Sequence, residues 1–459
     1  MAGVTGVTES KTIKYLGIPN QAMSWQSDAL VGPSHSFISL IPYTRSNLMC
    51  SQKDEESPRK AAGRTRRPNN ALQAGIVSCL MTTNHGLLDI KLLPKKYTAY
   101  PPLLILPVNF TSTTPEWESI YRNLSQAEKH ELFNTIAPAF KPQTMTHIAI
   151  NAPISPSTSE DGSQNVMRSP SGITPVYGDF GPVTLLHPDR NRGQPTQADF
   201  DAAFWVSTTQ NGGIIQTWAP LWTMFSRGNI SEKARILGEG NGMCGLTLEE
   251  VGGDLSSVQI ADFYVGIGYF AFSYLKMGVK TVFGWEINGW SVEGLRRGCE
   301  RNGWECVVVR TSETGQLEEG GLENIVRCLQ SHHRSKCIVL WGDNESAART
   351  LLEIQRSKEK AFPKLSLRHV NLGLLPTAKD SWGNAVRILD PKYGGWIHVH
   401  ENVDTREIEI KRQELAAEFN KLALTTREGT WQVSCCHVEQ VKTYAPGIMH
   451  CVFDIEITG

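Results

Sequence analysis

The chain has 459 residues, of which 40% are hydrophobic and 20% charged, and its net charge is −1. That length allows two to three domains with full cores, and near-neutrality excludes binding to nucleic acid through overall charge, so any such contact needs a local basic patch. No apolar run reaches the length of a membrane span and no apolar signal core opens the chain, so the expected setting is cytoplasmic, with no membrane partner.

Ten cysteines are scattered without the CxxC pairs that zinc prefers. They read as thiols of a reducing compartment, and no metal is expected. Residues 1–70 are weakly patterned and end in SPRKAAGRTRRP, a basic run that reads first as a solvated or targeting tail. From 71 to about 250 the pattern is that of a smaller α+β domain. It has structured apolar runs at 76–82 and 87–93, a proline-flanked aliphatic run at 97–108, a helix over 115–133 and a strand near 146–151. Residues 155–171, SPSTSEDGSQNVMRSPS, nearly lack large apolar groups and read as a disordered insertion. Ordered sequence is expected again at 176–186 and 201–208. The stretch from Ser226 to Arg235 then starts a helix, with Asn229 or Ser231 as its cap and Glu232 in its first turn.

Residues 251–459 alternate strands and helices. Strands are expected at 258–264, 281–285, 337–341, 369–375, 396–401, 431–441 and 449–457, and helices at 270–277, 291–301, 346–358 and 407–424. This implies an α/β, doubly wound sheet whose last strand is antiparallel. The segment 311–334 fits no slot and reads as a surface insertion.

The first strand runs into Gly266 and Gly268, and the second ends at Glu286, about 20 residues on. That is the spacing at which a βαβ unit presents a carboxylate to ribose hydroxyls. Gly266-x-Gly268-x-x-Ala271 alone would also suit a dinucleotide. Asp262, four residues earlier, would repel a pyrophosphate at the mouth of the loop but suit the amine or sulfonium of S-adenosylmethionine. Ligands of such sheets lie beyond the strand carboxyl ends. Asp343 is placed there to accept from an adenine amino group, Asn344 or its backbone to meet a ring nitrogen, and Asn371 to orient a heterocyclic acceptor.

The segments DFYVGIGYF, FGWEINGWSVEGLRRG, WGDNE, HVNLGLLPT, GGWIHVHENV and FSRGNISEKARI together resemble the wybutosine-synthesising aminocarboxypropyltransferases, relatives of the tRNA guanine-37 N1-methyltransferases. The resemblance covers roughly 72–154 and 176–459. It leaves out 1–70, 155–171 and 311–334. It implies a class I methyltransferase-like fold, acting as a monomer. It further implies transfer of the 3-amino-3-carboxypropyl group of S-adenosylmethionine to a tricyclic guanosine at position 37 of phenylalanine tRNA, in the anticodon loop. The family's cofactor contacts fall on Ser226, Lys233, Glu286, Asp343 and Asn344, and the methyltransferases' general base on Glu232. Arg227, Lys233 and Arg235 are expected to form one edge of an RNA surface. The cofactor motifs leave methyl and aminocarboxypropyl transfer both open, since each is an in-line displacement at a carbon on sulfur. A tRNA-binding module without chemistry is the alternative of another class.

Overall fold

In the computed structural model the described residues are 70–151 except 84 and 87, 173–181, 194–356 except 241 and 334, and 365–459. The basic N-terminal run, the insertion at 155–171 and the end of the run expected at 176–186 lie outside them. All described residues belong to one compact unit, Pro68–Gly459.

Helix α1 (Ala71–Thr82) begins at Asn70, whose side chain accepts from the backbone N–H of Leu72 and Gln73, satisfying two of the donors that a helix start leaves unpaired. Strands β1 (Thr98–Tyr100) and β2 (Leu103–Leu106) pair antiparallel. The helix expected over 115–133 is two, α2 (Pro115–Asn123) and α3 (Gln126–Ile136). Ser125 forms a capping box with Glu128, which starts the chain afresh. The two helices make the crossover that lets β3 (His147–Ile150) lie parallel to β2, and β4 (Thr174–Tyr177) closes this four-stranded sheet antiparallel. Helix α4 (Gln197–Ala202), the paired strands β5 (Val206–Thr209) and β6 (Ile215–Trp218), and the short α5 (Ile230–Ile236) follow.

The eight-stranded sheet contains β7 (Gln259–Asp262), β8 (Thr281–Glu286), β9 (Glu305–Arg310), β10 (Lys336–Trp341), β11 (Leu367–Leu372), β12 (Gly395–Asp404), β13 (Gln432–Ala445) and β14 (Ile448–Thr458). Helices α6 (Ala271–Met277), α7 (Gly289–Asn302), α8 (Gly321–Gln330), α9 (Ala347–Arg356), α10 (Trp382–Ile388) and α11 (Ile408–Thr426) alternate with them. Its order is β13-β14-β12-β11-β7-β8-β10-β9, parallel from β12 to β9, with β14 antiparallel between β12 and β13. Both faces are covered. Ala261, Phe283, Trp285 and Leu340 share one core with residues of α8, α9, α10 and α11, while Ile260, Val282 and Val339 share the other with α6 and α7. The runs 282–285 of β8 and 337–341 of β10, buried on both sides, are apolar for this reason.

The expectation of a surface insertion at 311–334 is corrected. Its central part is α8, whose Ile325, Cys328 and Leu329 are buried in the main core. It is the crossover from β9 to β10, and it has no slot only when β9 is overlooked.

Helix α5 has seven residues, too few to persist without tertiary anchors. Its main anchor is ionic. Arg235, on α5, donates to Glu232 at 3.0 and 2.9 Å and to Asp454, on β14, at 2.5 and 3.1 Å, and all three are buried. Removing one member of a buried ion pair leaves an uncompensated charge. Asp454→Ala should therefore destabilise the protein by about 3–5 kcal/mol in urea titration. A loss below about 1 kcal/mol would show that α5 is held by other contacts.

Candidate active site

Strand β7 ends in Asp262, and the chain then turns through Gly266 and Gly268 at φ 55° and 86°. A side chain at Gly268 would place its Cβ 2.5 Å from the Phe272 ring, so this turn admits only glycine. Glu286, partly exposed at the end of β8, closes the loop from the side. Its Oε2 accepts from the Gly266 N–H at 3.0 Å and its Oε1 from the Asn288 N–H at 2.8 Å. Burial raises its pKa to about 7 against these hydrogen bonds. Each oxygen keeps a lone pair, so the carboxylate can still accept from a pair of hydroxyls.

Asp262 sits beneath the loop, fully buried, and not at its mouth as expected from the sequence. It is the last residue of a central strand and points toward β11. Its Oδ1 accepts from the Tyr264 N–H at 3.3 Å and from the Asn371 amide at 3.2 Å, and Oδ2 has no partner. Burial raises its pKa to about 6.

At the end of β10, Asp343 is exposed and caps a short turn through the Glu345 N–H at 2.8 Å. Asn344 is buried with its amide committed, donating to the Phe263 carbonyl and accepting from the Ser381 hydroxyl, both at 2.8 Å. A base reaching this edge would therefore meet the Asp343 carboxylate and the backbone of Asn344. The Asn344 side chain is structural.

The third edge is the entry to α5. Asn229 adopts the left-handed conformation at φ 63°, and Ser226 Oγ accepts from the Gly228 N–H at 3.1 Å. Lys233 is only 7% exposed. Its Nζ has no hydrogen-bond partner and lies 5.6 Å from the ring centre of Tyr269, the residue after Gly268. Burial, and then the charge of Lys442, lower its pKa to about 8. An unpaired buried ammonium beside the glycine loop is built for an anion.

Two polar rows cross the sheet face beneath α5. In one, Asn371 Oδ1 meets His400 Nε2 at 3.3 Å, and His400 Nδ1 meets His450 Nε2 at 3.0 Å. In the other, the Gly245 carbonyl accepts from His369 Nε2 at 3.1 Å, His369 Nδ1 meets His398 Nε2 at 3.0 Å, and His398 Nδ1 meets Asp454 Oδ1 at 2.7 Å. Burial keeps His369 neutral, and with its Nε2 donating to the Gly245 carbonyl its Nδ1 accepts from His398 Nε2. Burial alone would raise the Asp454 carboxyl, yet His398 and Arg235 hold it well below the usual range.

These rows correct three expectations. Glu232 is fully buried with both oxygens on Arg235, so it anchors α5 and presents no free base to the site. Asn371 is fully buried with its amide spent on Asp262 and His400, so it steadies Asp262 and does not meet an acceptor base. Of the three cations assigned to an RNA surface, only Arg227 is exposed, its guanidinium on the Ala99 carbonyl at 3.0 Å. Arg235 is consumed internally and Lys233 faces the site. Sequence reading gave no site role to His369, His398, His400, His450 or Asp454, although polar residues alternating with apolar ones in 396–401 and 449–455 mark a polar inner face. It also missed a group of thiols. Cys299, Cys306 and Cys337, from α7, β9 and β10, bring their sulfurs within 4.8 Å of one another, where they could hold a soft metal ion.

No family model matches the chain. It is 38% identical over 364 residues to tRNA wybutosine-synthesizing protein 2 of Schizosaccharomyces pombe, covering 79% of this chain and 72% of the relative. It is 30% identical over 414 residues to the protein of that name from Saccharomyces cerevisiae, covering 82% and 78%. Among solved structures it is similar to P. horikoshii TYW2 in complex with MeSAdo, with a TM-score of 0.47 and 16% identity over 83% of this chain and 98% of that one. Trm5b from Pyrococcus abyssi follows, with a TM-score of 0.45 and 14% identity over 86% and 82%.

The two perturbed groups at the rim set a pH window. Glu286 carries its charge only above about pH 7 and Lys233 only below about pH 8. S-adenosylmethionine affinity measured by calorimetry should fall on both sides of that window. Glu286→Gln should remove the acid limb. Lys233→Met should remove the alkaline limb and weaken binding by about 1.5–3 kcal/mol. An alkaline limb unchanged in Lys233→Met would show that Lys233 does not hold the ligand.

Proposed function

The chain belongs to the tRNA wybutosine-synthesizing protein 2 family, and from that premise and the site we propose that it is an S-adenosylmethionine-dependent transferase that adds the 3-amino-3-carboxypropyl group to the tricyclic guanosine at position 37 of tRNA-Phe. The observation that carries the reading is the buried, unpartnered ammonium of Lys233 beside the glycine loop, which matches a ligand bearing a carboxylate.

The donor fits the residues present. Glu286 accepts from the ribose hydroxyls, Asp343 from the adenine amino group, and the backbone of Asn344 faces the ring. Lys233 and Ser226 receive the carboxylate end, and the orphaned Oδ2 of Asp262 adds negative potential beneath the loop, favouring a cation. When bound, the donor supplies a sulfonium whose Cγ–S bond breaks as the acceptor carbon bonds to Cγ, leaving neutral 5′-methylthioadenosine, while the acceptor carbon loses a proton. The protein's share is orientation: it selects which of the carbons on sulfur faces the nucleophile. Fixing the carboxylate on α5 is what makes that selection.

The tRNA is expected to engage near Arg227, which lies over the Tyr100 ring at 4.3 Å and so joins the entry of α5 to the four-stranded sheet. We assign residues 71–250 to tRNA binding and to the connection with the large sheet, through which Ser226 and Lys233 reach the donor, and 251–459 to the rest of the donor site. The nine described cysteines are all free, in keeping with a cytoplasmic, reducing setting.

Incubation with S-adenosylmethionine and tRNA bearing the tricyclic precursor should release 5′-methylthioadenosine and add a four-carbon amino acid unit to the base, read by mass analysis of the nucleoside. Release of S-adenosylhomocysteine with a methylated base would overturn the assignment. Because Glu232 anchors the helix that carries Lys233, Glu232→Gln should lower thermal stability and donor affinity together. A variant that bound the donor normally but transferred slowly would return the role of base to Glu232.

A further inference from the structure

The cation next to Lys233 has no assigned role. Lys442, half-buried on β13, reaches back to the turn that starts α5: a Cβ built on Gly228 would lie 2.5 Å from Lys442 Nζ and 3.1 Å from Ser226 Oγ. The ammonium and the hydroxyl thus stand together over the one residue of the turn that has no side chain to displace them. Lys442 is close enough to Lys233 to depress its protonation. Among the described residues no carboxylate pairs with either ammonium. Two like charges brought together without a counter-ion are unfavourable unless an anion joins them.

We propose that Lys442 is a second ammonium on the carboxylate of the donor's amino acid moiety, closing with Lys233 and Ser226 a two-ammonium clamp over Gly228. This rests on the donor reading given above. The depth of the site favours a carboxylate over an RNA phosphate, since Lys233 is only 7% exposed. Acceptors complete the match. Asn371 donates its amide N–H to Asp262, so its Oδ1 accepts from His400 Nε2. His400, which burial keeps neutral, then accepts at Nδ1 from His450 Nε2. This leaves His450 Nδ1 an unprotonated acceptor, and it is buried without a partner, as is Asn229 Oδ1 in the turn itself. Unpaired donors beside unpaired acceptors complement the carboxylate and ammonium of one amino acid.

Calorimetry with three probes tests the clamp: S-adenosylmethionine, its decarboxylated analogue, and 5′-methylthioadenosine, which lacks the amino acid chain. The wild type should prefer S-adenosylmethionine over the decarboxylated analogue by about tenfold or more. Lys442→Met should lose about tenfold for S-adenosylmethionine, keep its affinity for 5′-methylthioadenosine, and bind the decarboxylated analogue nearly as well as S-adenosylmethionine. Lys442→Arg should retain most of the preference. Equal binding of both donors by the wild type would overturn the clamp whatever the variants do. So would a Lys442→Met protein that binds S-adenosylmethionine normally but tRNA more weakly, which would assign the cation to RNA phosphate. If the wild type bound 5′-methylthioadenosine and neither donor, the clamp would fail while the nucleoside site stood. If it bound none of the three, the donor reading itself would fail.

Discussion

The contact on which the site depends is the buried guanidinium of Arg235, shared between Glu232 on its own helix and Asp454 on β14. Helix α5 has seven residues, too few to hold a conformation alone. Yet it carries Lys233, and a ligand's carboxylate must be received at a fixed point if one of several carbons on a sulfonium is to be selected. The alternating polar residues of β11, β12 and β14 resolve this. They give the sheet an inner face that accepts a charged helix, with His398 completing the pairing of Asp454. A well-packed apolar face could be as stable. It would not index α5 to one register.

The parts legible in the sequence were the local ones. The strand, glycine turn, helix and second strand around Gly266 and Glu286 lie within about 30 contiguous residues, and periodicity and spacing determine them. The positions of Asp343 and Asn344 at a strand end followed from the same logic. Strand β9 was missed because the polar segment after it masked the alternation of strand and helix, and losing it turned α8 into an apparent insertion.

Three residues that sequence reading assigned to the site hold neighbouring elements of the fold together. Glu232, Asn371 and Asp262 look like groups for substrate because their types suit it. Whether such a side chain faces a ligand or a neighbouring strand depends on which strands lie beside it. The order β7-β11-β12-β14 brings Asp262, Asn371, His400 and His450 into one row, though they are far apart in the chain. No local pattern encodes that row, and Lys442, reaching from β13 to the turn before α5, was invisible for the same reason.

Selection of one carbon on sulfur requires one spatial relation: the donor's amino acid end is held against α5 while α5 stays fixed on the sheet. A crystal structure of the protein with S-adenosylmethionine bound tests this most directly. It should show the ribose hydroxyls on Glu286, the carboxylate within hydrogen-bond distance of Lys233, and the Arg235 pairs with Glu232 and Asp454 intact. A carboxylate turned toward solvent, or α5 displaced with the Arg235 pairs broken, would contradict it.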